Sequence, residues 1–355
     1  MAKAIKPFKF SYVPAEEAFL DPLREDRDQP EAAKAVVIPF GLEASVSYGS
    51  GTAKGPQALI AASHQLELFD DELWREPVND YGIATLKEPK IAKPIAEALK
   101  QLEALVGTVL AEDRFPLVIG GEHSLTPGAI APFAARYKDL VVLQFDAHAD
   151  LRDGYQGEPY SHAAAMRRVL DHKHVSLVSV GIRAISTSEV KFYEANRDRI
   201  TIHWAHEVWD NARGGRLPEG ESPGAKQDSA RGGRLPEEES PGAKQEPSPG
   251  ASKDFSRWDI ERIVAPLKGR PVYLTFDIDA LDPSIMPATG TPEPGGLRFE
   301  EALAIIRRTA EVAKVVGADI VELAPMKGLH APDFLAAKLA YKMLSYVLSG
   351  TKRRG

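Results

Sequence analysis

The sequence predicts an α/β fold in which a mainly parallel β-sheet is covered by helices on both faces. Short apolar runs, many of them rich in β-branched residues, recur along the 355-residue chain, and segments with apolar residues at helical spacing lie between several of them. Runs without polar alternation are typical of strands buried on both faces, as in a parallel sheet between two helical layers. Ligands of such sheets bind at the carboxyl ends of the strands, where we therefore expect the functional side chains.

Seven segments fit the strand pattern, and they are, in chain order, KAVVIPFG from Lys34, FPLVIGG from Phe115, LVVLQFD from Leu140, VSLVSVGIR from Val175, RITIHW from Arg199, PVYLTFDID from Pro271 and ADIVELAP from Ala318. Helical spacing of apolar residues predicts further segments as helices. These are IAKPIAEALKQLEALVGTVLAE from Ile91, FEEALAIIRRTAEVAKVVG from Phe299 and DFLAAKLAYKMLSYVLSG from Asp333, with another helix expected to begin near Phe255.

The composition disfavours several kinds of protein and partner. Lysine and arginine total 44 while aspartate and glutamate total 51, so the net charge of −7 disfavours nucleic acid. The absence of cysteine excludes disulfides and cysteine nucleophiles, and it suits a reducing compartment. The first residues lack the apolar core of a signal peptide, and no run of about 18 apolar residues predicts a membrane span. We expect a cytoplasmic protein without a membrane partner.

One segment departs from the alternation of strands and helices. ARGGRLPEGESPGAKQ at 212–227 returns as ARGGRLPEEESPGAKQ at 230–245, a tandem repeat rich in Gly, Pro and charged residues. Such a segment buries too little apolar surface to offset its ordering entropy, and two copies are too few for a solenoid. We interpret 212–253 as a flexible insertion in a single domain that spans 1–355, with an N-terminal extension at 1–30.

Side chains able to bind a metal follow three of the predicted strands. After two of these strands the side chains lie two residues apart, and on an extended chain this spacing directs them to the same side of the strand. An isolated aspartate or histidine after a strand is usually a helix cap, a turn former or a structural residue. Six such residues at three strand ends favour a shared site, and they are His123, Asp146, His148, Asp150, Asp277 and Asp279.

Four aspartates packed together would repel one another and resist ionisation unless cations lie between them. Two divalent ions would balance the four charges. Oxygen-rich ligation with some imidazole and no sulfur favours Mn²⁺ over a structural Zn²⁺ site, with Mg²⁺, Co²⁺ or Fe²⁺ as possible substitutes. A pair of such ions can share a water and lower its pKa toward neutrality, which predicts a hydrolase.

Three motifs resemble, in order and spacing, the metal motifs of the arginase and agmatinase family, the ureohydrolases. They are GGEHS at 120–124, DAHAD at 146–150 and FDIDALDP at 276–283, and the likeness covers most of the chain outside its first thirty or so residues and the repeat. The resemblance implies a three-layer α/β/α fold, doubly wound around a mainly parallel sheet of about eight strands. It also implies two Mn²⁺ per chain and hydrolysis of a guanidino compound to urea and an amine.

The same resemblance implies roles for three residues. Asp150 looks like the ligand that also orients the attacking hydroxide, and Glu322 like the carboxylate that receives the guanidinium. His162 resembles the histidine that passes a proton to the departing amine. The alternatives are a polar strand terminus for Glu322 and an ordinary helix start for His162. Family members assemble as homotrimers or homohexamers, which we expect here as well.

The residues after the central motif, DLRDGYQGEPYSHAAAMRR at 150–168, are similar to the bacterial agmatinase pattern. The leading predicted substrate is therefore agmatine, which would yield putrescine and urea. Aminopropyl-agmatine, guanidinobutyrate and arginine stay open as alternatives. Arg152 speaks for the acids among them, because a cation near the entrance would repel an amine and suit an acid. Acidic or aromatic groups that could stabilise a distal amine are Asp153, Tyr155, Glu158 and Tyr160. Outside this chemistry, the alternatives are a non-catalytic polyamine-binding relative and a dimetal phosphoesterase.

Overall fold

The fold is built on one sheet of eight strands. A computed structural model of the chain describes residues 11–20, 30–212 and 257–353. Within these ranges the strands are β1 (Ala35–Phe40), β2 (Ile83–Thr85), β3 (Phe115–Gly120), β4 (Val141–Phe145), β5 (Ser176–Ile182), β6 (Ile200–Trp204), β7 (Pro271–Asp277) and β8 (Lys314–Val321). All are parallel and lie in the order β2–β1–β3–β8–β7–β4–β5–β6.

This order confirms the predicted doubly wound sheet and all seven predicted strands. The eighth strand, β2, was missed because its three residues are too few to show a pattern in the sequence. Strands β3 and β4 follow one another along the chain but are separated in the sheet by β8 and β7. Such a reversal of strand order opens a crevice at the carboxyl ends of the central strands.

Within the described ranges, the α-helices are α1 (Gly55–Ser63), α2 (Val78–Tyr81), α3 (Ile95–Ala111), α4 (Thr126–Arg136), α5 (Ala165–Val169), α6 (Thr187–Ala195), α7 (Ala205–Ala212), α8 (Ile260–Val264), α9 (Phe299–Val312) and α10 (Ala331–Leu344). A π-helical turn, Ser345–Ser349, continues α10. No helix of the described chain is long and apolar enough to cross a membrane.

Of the helix boundaries that differ from the predictions, two have a clear physical cause. Helix α3 begins at Ile95 rather than Ile91, because Pro94 has extended backbone angles and caps the helix from outside. Helix α9 ends at Val312, and the apolar residues that follow it belong to β8, which starts at Lys314. Apolar periodicity alone did not separate the end of this helix from the strand.

The core lies on both faces of the sheet. Alternate residues of β1 belong to different clusters, Val37 to one and Val36 to the other, as expected for side chains on opposite faces of a strand. The first cluster includes buried residues of α1, α9 and α10, and the second includes residues of α3, α4 and α5. The result is the predicted three-layer α/β/α arrangement.

Part of the predicted N-terminal extension packs on the domain. Tyr12 forms an antiparallel bridge with Leu86, and Phe19 is fully buried with its main-chain N–H bound to Thr85 Oγ1 at 2.9 Å. Residues 1–10 and 21–29 lie outside the described residues. So does the predicted insertion at 212–253, apart from Ala212 at the end of α7, together with Phe255, where a helix was expected; α8 begins at Ile260.

Candidate metal centre

Four neighbouring central strands, β3, β8, β7 and β4, bring the predicted site residues to one edge of the sheet. His123 opens a 3-10 turn just after β3, Asp277 ends β7, and Glu322 follows β8. Asp279 lies in the 3-10 turn after β7, and the remaining ligand candidates follow β4, namely Asp146, His148 and Asp150. The sheet order therefore brings together residues that are up to 199 positions apart.

Two of these residues have an unusual backbone conformation. Asp150 has a φ of 52° and Glu322 a φ of 66°, both in the left-handed region that non-glycine residues rarely adopt. The Glu322 main-chain N–H donates to the Gly121 carbonyl at 2.7 Å, which ties the end of β8 to the end of β3. Such strained residues concentrate at functional sites, where the surrounding structure holds them in place.

His123 lies at the centre of a ring of carboxylates. Its Nδ1 is 3.1 Å from Asp146 Oδ2, 3.1 Å from Asp150 Oδ2 and 3.4 Å from Asp277 Oδ2. None of these contacts has hydrogen-bond geometry, so the buried Nδ1 lacks a partner among the described residues. A metal cation would bind the lone pair of such a buried nitrogen and neutralise the carboxylate oxygens around it. His123, Asp146 and Asp277 form one group able to hold a metal ion.

A second group shares Asp146 with the first. Asp146, His148 and Asp279 offer ligand atoms to a common point, and His148 Nδ1 is 2.9 Å from Asp279 Oδ2. The shared carboxylate places the two groups next to each other, as a two-metal site requires. The donors are carboxylate oxygens and imidazole nitrogens without sulfur, which fits divalent ions of the Mn²⁺ type.

Main-chain N–H groups hold the carboxylates in position. Asp146 Oδ1 accepts from the His148 N–H at 2.6 Å, and Asp277 Oδ1 accepts from the Asp279 N–H at 2.8 Å. Asp279 Oδ1 accepts from the Ala147 N–H at 2.9 Å, which links the loops after β7 and β4. Each carboxylate thus has one oxygen fixed by the backbone and directs the other toward the cluster, where Asp146 Oδ2 also accepts from Gln144.

The ionisation of the cluster shows its need for positive charge. Burial and the neighbouring aspartates raise the pKa of Asp277 well above its usual value and that of Asp150 to about 7. Burial alone would lower the pKa of His148, but Asp279 and Asp146 outweigh it and raise the pKa to about 12. The raised pKa of His148 favours its charged form, and bound cations would take over that positive charge.

A buried network behind the site orients His123. Its Nε2 lies 2.9 Å from Thr275 Oγ1, which in turn donates to Asp319 Oδ1 at 2.6 Å. Because the threonine hydrogen is directed to Asp319, the threonine oxygen accepts the hydrogen on Nε2 and leaves Nδ1 with a lone pair for a metal. Asp319 also accepts from Tyr273 and Thr126.

The Thr275→Val variant is expected to weaken metal binding. It leaves the buried Nε2–H of His123 unpaired and frees the ring to turn, and losses of such orienting partners cost about 10- to 100-fold in metal affinity. Calorimetric titration of the metal-free protein with Mn²⁺ measures the change. Tyr273→Phe is the matched control, because it removes a hydrogen bond to the same Asp319 carboxylate without touching His123. Equal affinities in the two variants would contradict this assignment.

A cavity of about 400 Å³ opens above the cluster. Its walls include His148, Asp150, Asp277, Asp279, Glu322 and His162. His162 begins the 3-10 turn His162–Ala164, and burial lowers the pKa of its imidazole although Glu122 opposes the shift. The predicted site residues therefore form one assembly, with His123 and Asp146 buried beneath the cavity.

The loop that was expected to meet a distal amine contributes Tyr155 to the cavity wall. Arg152 also lines the cavity, with its guanidinium 5.0 Å from the centre of the Tyr155 ring and its Nε 3.8 Å from Glu189 Oε2. Asp153 instead binds Arg168 at 2.6 Å, and Glu158 accepts from the Tyr160 main chain.

Several residues that support the site gave no signal in the sequence. Arg183 donates to the main-chain carbonyls of Gly181, Asp279 and Glu293, at 3.0, 2.7 and 2.7 Å, and so holds the loop after β7. Gln144 donates to Asp146 Oδ2 at 2.8 Å and accepts from Ser179. Each of these residues has at least one partner in a distant segment, which its own spacing does not reveal. The same holds for the other residues that were missed, namely Ser45, Glu122, Glu189, Thr275 and Asp319.

Comparison with known proteins identifies the family. The sequence model described as "Arginase family" matches residues 33–217 and 252–345. The chain belongs to the arginase family. The match omits residues 218–251, which contain most of the duplicated segment.

Named relatives of this arginase-family chain include two enzymes that act on related guanidines. The chain is 33% identical over 327 residues to N(1)-aminopropylagmatine ureohydrolase from Synechocystis sp., covering 88% of this chain and 89% of that one. It is 32% identical over 307 residues to agmatinase from Bacillus cereus, covering 83% and 85%. The crystal structure of agmatine ureohydrolase from Thermoplasma volcanium has a TM-score of 0.69 at 26% identity, covering 91% and 92%. The chain is therefore a ureohydrolase, and its fold is the arginase-like fold that the motifs implied.

Proposed function

We propose that this ureohydrolase cleaves the guanidino group of N(1)-aminopropylagmatine, releasing urea and spermidine, with two Mn²⁺ ions held by the six predicted ligands. Agmatine, the substrate favoured by the sequence alone, is the second candidate. The main support for the proposal is the buried cluster, which contains two metal-binding groups. It lies beneath a cavity whose wall also includes Glu322. Of the relatives named above, the N(1)-aminopropylagmatine ureohydrolase of Synechocystis sp., at 33% identity, supports the longer substrate. Assembly as a homotrimer or homohexamer stays a prediction.

Glu322 is placed to receive the guanidinium. Its Oε1 accepts from the His123 main-chain N–H at 2.6 Å, while Oε2 lies toward Gly290 on the cavity wall. A guanidinium stays protonated in proteins and forms paired hydrogen bonds with a carboxylate. Glu322 therefore fixes the charged end of the substrate next to the metal-binding groups.

The residues around the guanidinium then set up hydrolysis. Two divalent ions held by the cluster would lower the pKa of a shared water and supply hydroxide at neutral pH. Asp150, on the cavity side of the cluster, would accept a hydrogen bond from that nucleophile and orient it toward the guanidinium carbon. His162 would give a proton to the departing nitrogen, which leaves as an amine.

The surroundings of Arg152 favour a polyamine tail over an acid. Its guanidinium is held by the Tyr155 ring and lies near Glu189, so its charge is partly balanced inside the protein. The cavity of about 400 Å³ has room for a substrate longer than agmatine. An extended diamine tail would meet the serine hydroxyls of Ser47 and Ser186 along the wall, whereas Glu189 is buried and already accepts hydrogen bonds from Leu151 and Ser186.

Urea release from several guanidines tests the proposal. We expect kcat/KM to be about tenfold higher for N(1)-aminopropylagmatine than for agmatine, because one added charged hydrogen bond contributes about 1.5 kcal/mol. Guanidinobutyrate and arginine should be slower than both, since each presents a carboxylate. The assay uses the Mn²⁺-loaded protein and measures urea and the amine product. Equal or faster turnover of agmatine would favour the second candidate, and no urea from any of the four would refute the enzymatic proposal.

A further inference from the structure

The hydroxyl of Ser45 lies between a buried carboxylate and the proposed proton donor. Ser45 Oγ is 2.9 Å from Glu122 Oε1 and 3.2 Å from His162 Nδ1. It also accepts the main-chain N–H of His162 at 3.0 Å. These contacts link the chain before α1, the end of β3 and the turn that carries His162, so they fix the imidazole from one side.

Glu122 can act only as an acceptor in this arrangement. Its side chain is fully buried, and its Oε2 accepts the main-chain N–H groups of Ala44 and Ser45 at 2.9 and 2.7 Å. Its Oε1 accepts the hydroxyls of Ser45 and Ser124, at 2.9 and 2.5 Å. Main-chain N–H groups cannot reverse their direction, so they fix which oxygen faces the serines.

The hydrogens around Ser45 can be assigned by counting. The hydroxyl has one hydrogen, and it is directed to the nearer acceptor, Glu122 Oε1. The serine oxygen then has two lone pairs, and one accepts the His162 main-chain N–H. The other can bind Nδ1 only if that nitrogen carries a hydrogen. Nε2 is the ring nitrogen that does not contact Ser45 Oγ, and His162 lines the cavity.

We propose that Ser45 and Glu122 are positioning residues that hold neutral His162 in the tautomer with its hydrogen on Nδ1. The catalytic consequence of this tautomer rests on the proposed function. Nε2 takes up, through its lone pair, the proton that the attacking water loses, and transfers it to the departing nitrogen as the carbon–nitrogen bond breaks. Nδ1 keeps its hydrogen throughout, so the imidazole returns to the same neutral tautomer after each turnover.

The Glu122→Gln variant tests this assignment because it should reverse the tautomer. The fixed N–H groups of Ala44 and Ser45 require the amide oxygen, so the amide NH₂ faces the Ser45 hydroxyl. Ser45 Oγ must then accept from the amide and turn its own hydrogen toward His162 Nδ1. The hydrogen of the neutral imidazole moves to Nε2, and the lone pair needed in the cavity is lost.

Nitrogen-15 NMR of histidine-labelled protein reads the tautomer directly. The protein is loaded with diamagnetic Mg²⁺, and the signal of His162 among the nine histidines is assigned by its loss in His162→Gln. We expect an Nδ1–H signal in the unaltered protein and an Nε2–H signal in Glu122→Gln. In the Mn²⁺-loaded enzyme, kcat of this variant should fall about tenfold or more while KM stays within about twofold.

Further variants keep the test decisive if Glu122→Gln fails to fold. Ser45→Ala should remove the tautomer preference, and Ser45→Thr, which keeps the hydroxyl, should restore it. Ser124→Ala removes another donor to the same carboxylate without touching His162, and it should leave the Nδ1–H signal in place. An unchanged Nδ1–H signal in Glu122→Gln or in Ser45→Ala would overturn the inference. Absence of urea release by the unaltered protein would count against the proposed function instead, because the NMR measurement does not depend on turnover.

Discussion

Replacing Asp279 with alanine is expected to lower metal content and urea release together. Asp279 belongs to the group with Asp146 and His148, and its Oδ2 is 2.9 Å from His148 Nδ1. Loss of an orienting partner behind a ligand costs about 10- to 100-fold in metal affinity or activity, and loss of a ligand should cost at least the upper part of that range. Metal analysis after gel filtration and urea release at low Mn²⁺ measure the two effects.

The matched control for Asp279→Ala is Asp282→Asn. Asp282 lies on the same loop, but its carboxylate accepts from Ser284, Gly295 and Gly296 and takes no part in either metal-binding group. This control should keep the metal content of the unaltered protein. Unchanged metal content and rate in Asp279→Ala would refute the ligand assignment. Recovery of activity at high Mn²⁺ would support it, because mass action refills a weakened site.

The sequence was sufficient to predict the sheet and the ligand motifs for a physical reason. Buried parallel strands are apolar on both faces, and side chains two apart at a strand end point to the same side. Both features can therefore be recognised within a short stretch of sequence. Asp146 and His148 could therefore be recognised together. The three-residue strand β2 was too short to carry such a pattern, and the start of α3 was misplaced because the apolar spacing continues through Pro94, whose extended backbone delays the helix to Ile95.

The residues that support the ligands were not predictable in this way. Thr275 binds His123 across 152 positions of sequence, and Ser45 meets Glu122 across 77. A serine or threonine has no local signal for such a contact, since its partner is set by strand order rather than by spacing. Glu322 was found only through the family resemblance, because its left-handed backbone and its approach to His123 emerge from the folded sheet.

Replacing Glu322 with glutamine is expected to reduce kcat/KM without loss of metal. Its Oε1 accepts the His123 N–H, so glutamine must place its own oxygen there and turn its NH₂ toward the cavity. A guanidinium that now meets a donor loses a charged hydrogen bond, which contributes about 1.5–3 kcal/mol, or about ten- to a hundredfold in kcat/KM. Urea release and metal analysis of the same preparation separate this loss from that of Asp279→Ala.

The Glu322→Asp variant shows whether charge accounts for that loss. Aspartate keeps the carboxylate and tolerates the φ of 66° found at this position better than most residues do. It should therefore retain more activity than glutamine although it is one methylene shorter. If glutamine and aspartate lose activity equally, both the charge and the reach of the carboxylate are needed. If neither loses activity, the guanidinium binds elsewhere in the cavity. A fall in the metal content of Glu322→Gln would instead make Glu322 part of the metal-holding structure, because it contacts the main chain of His123.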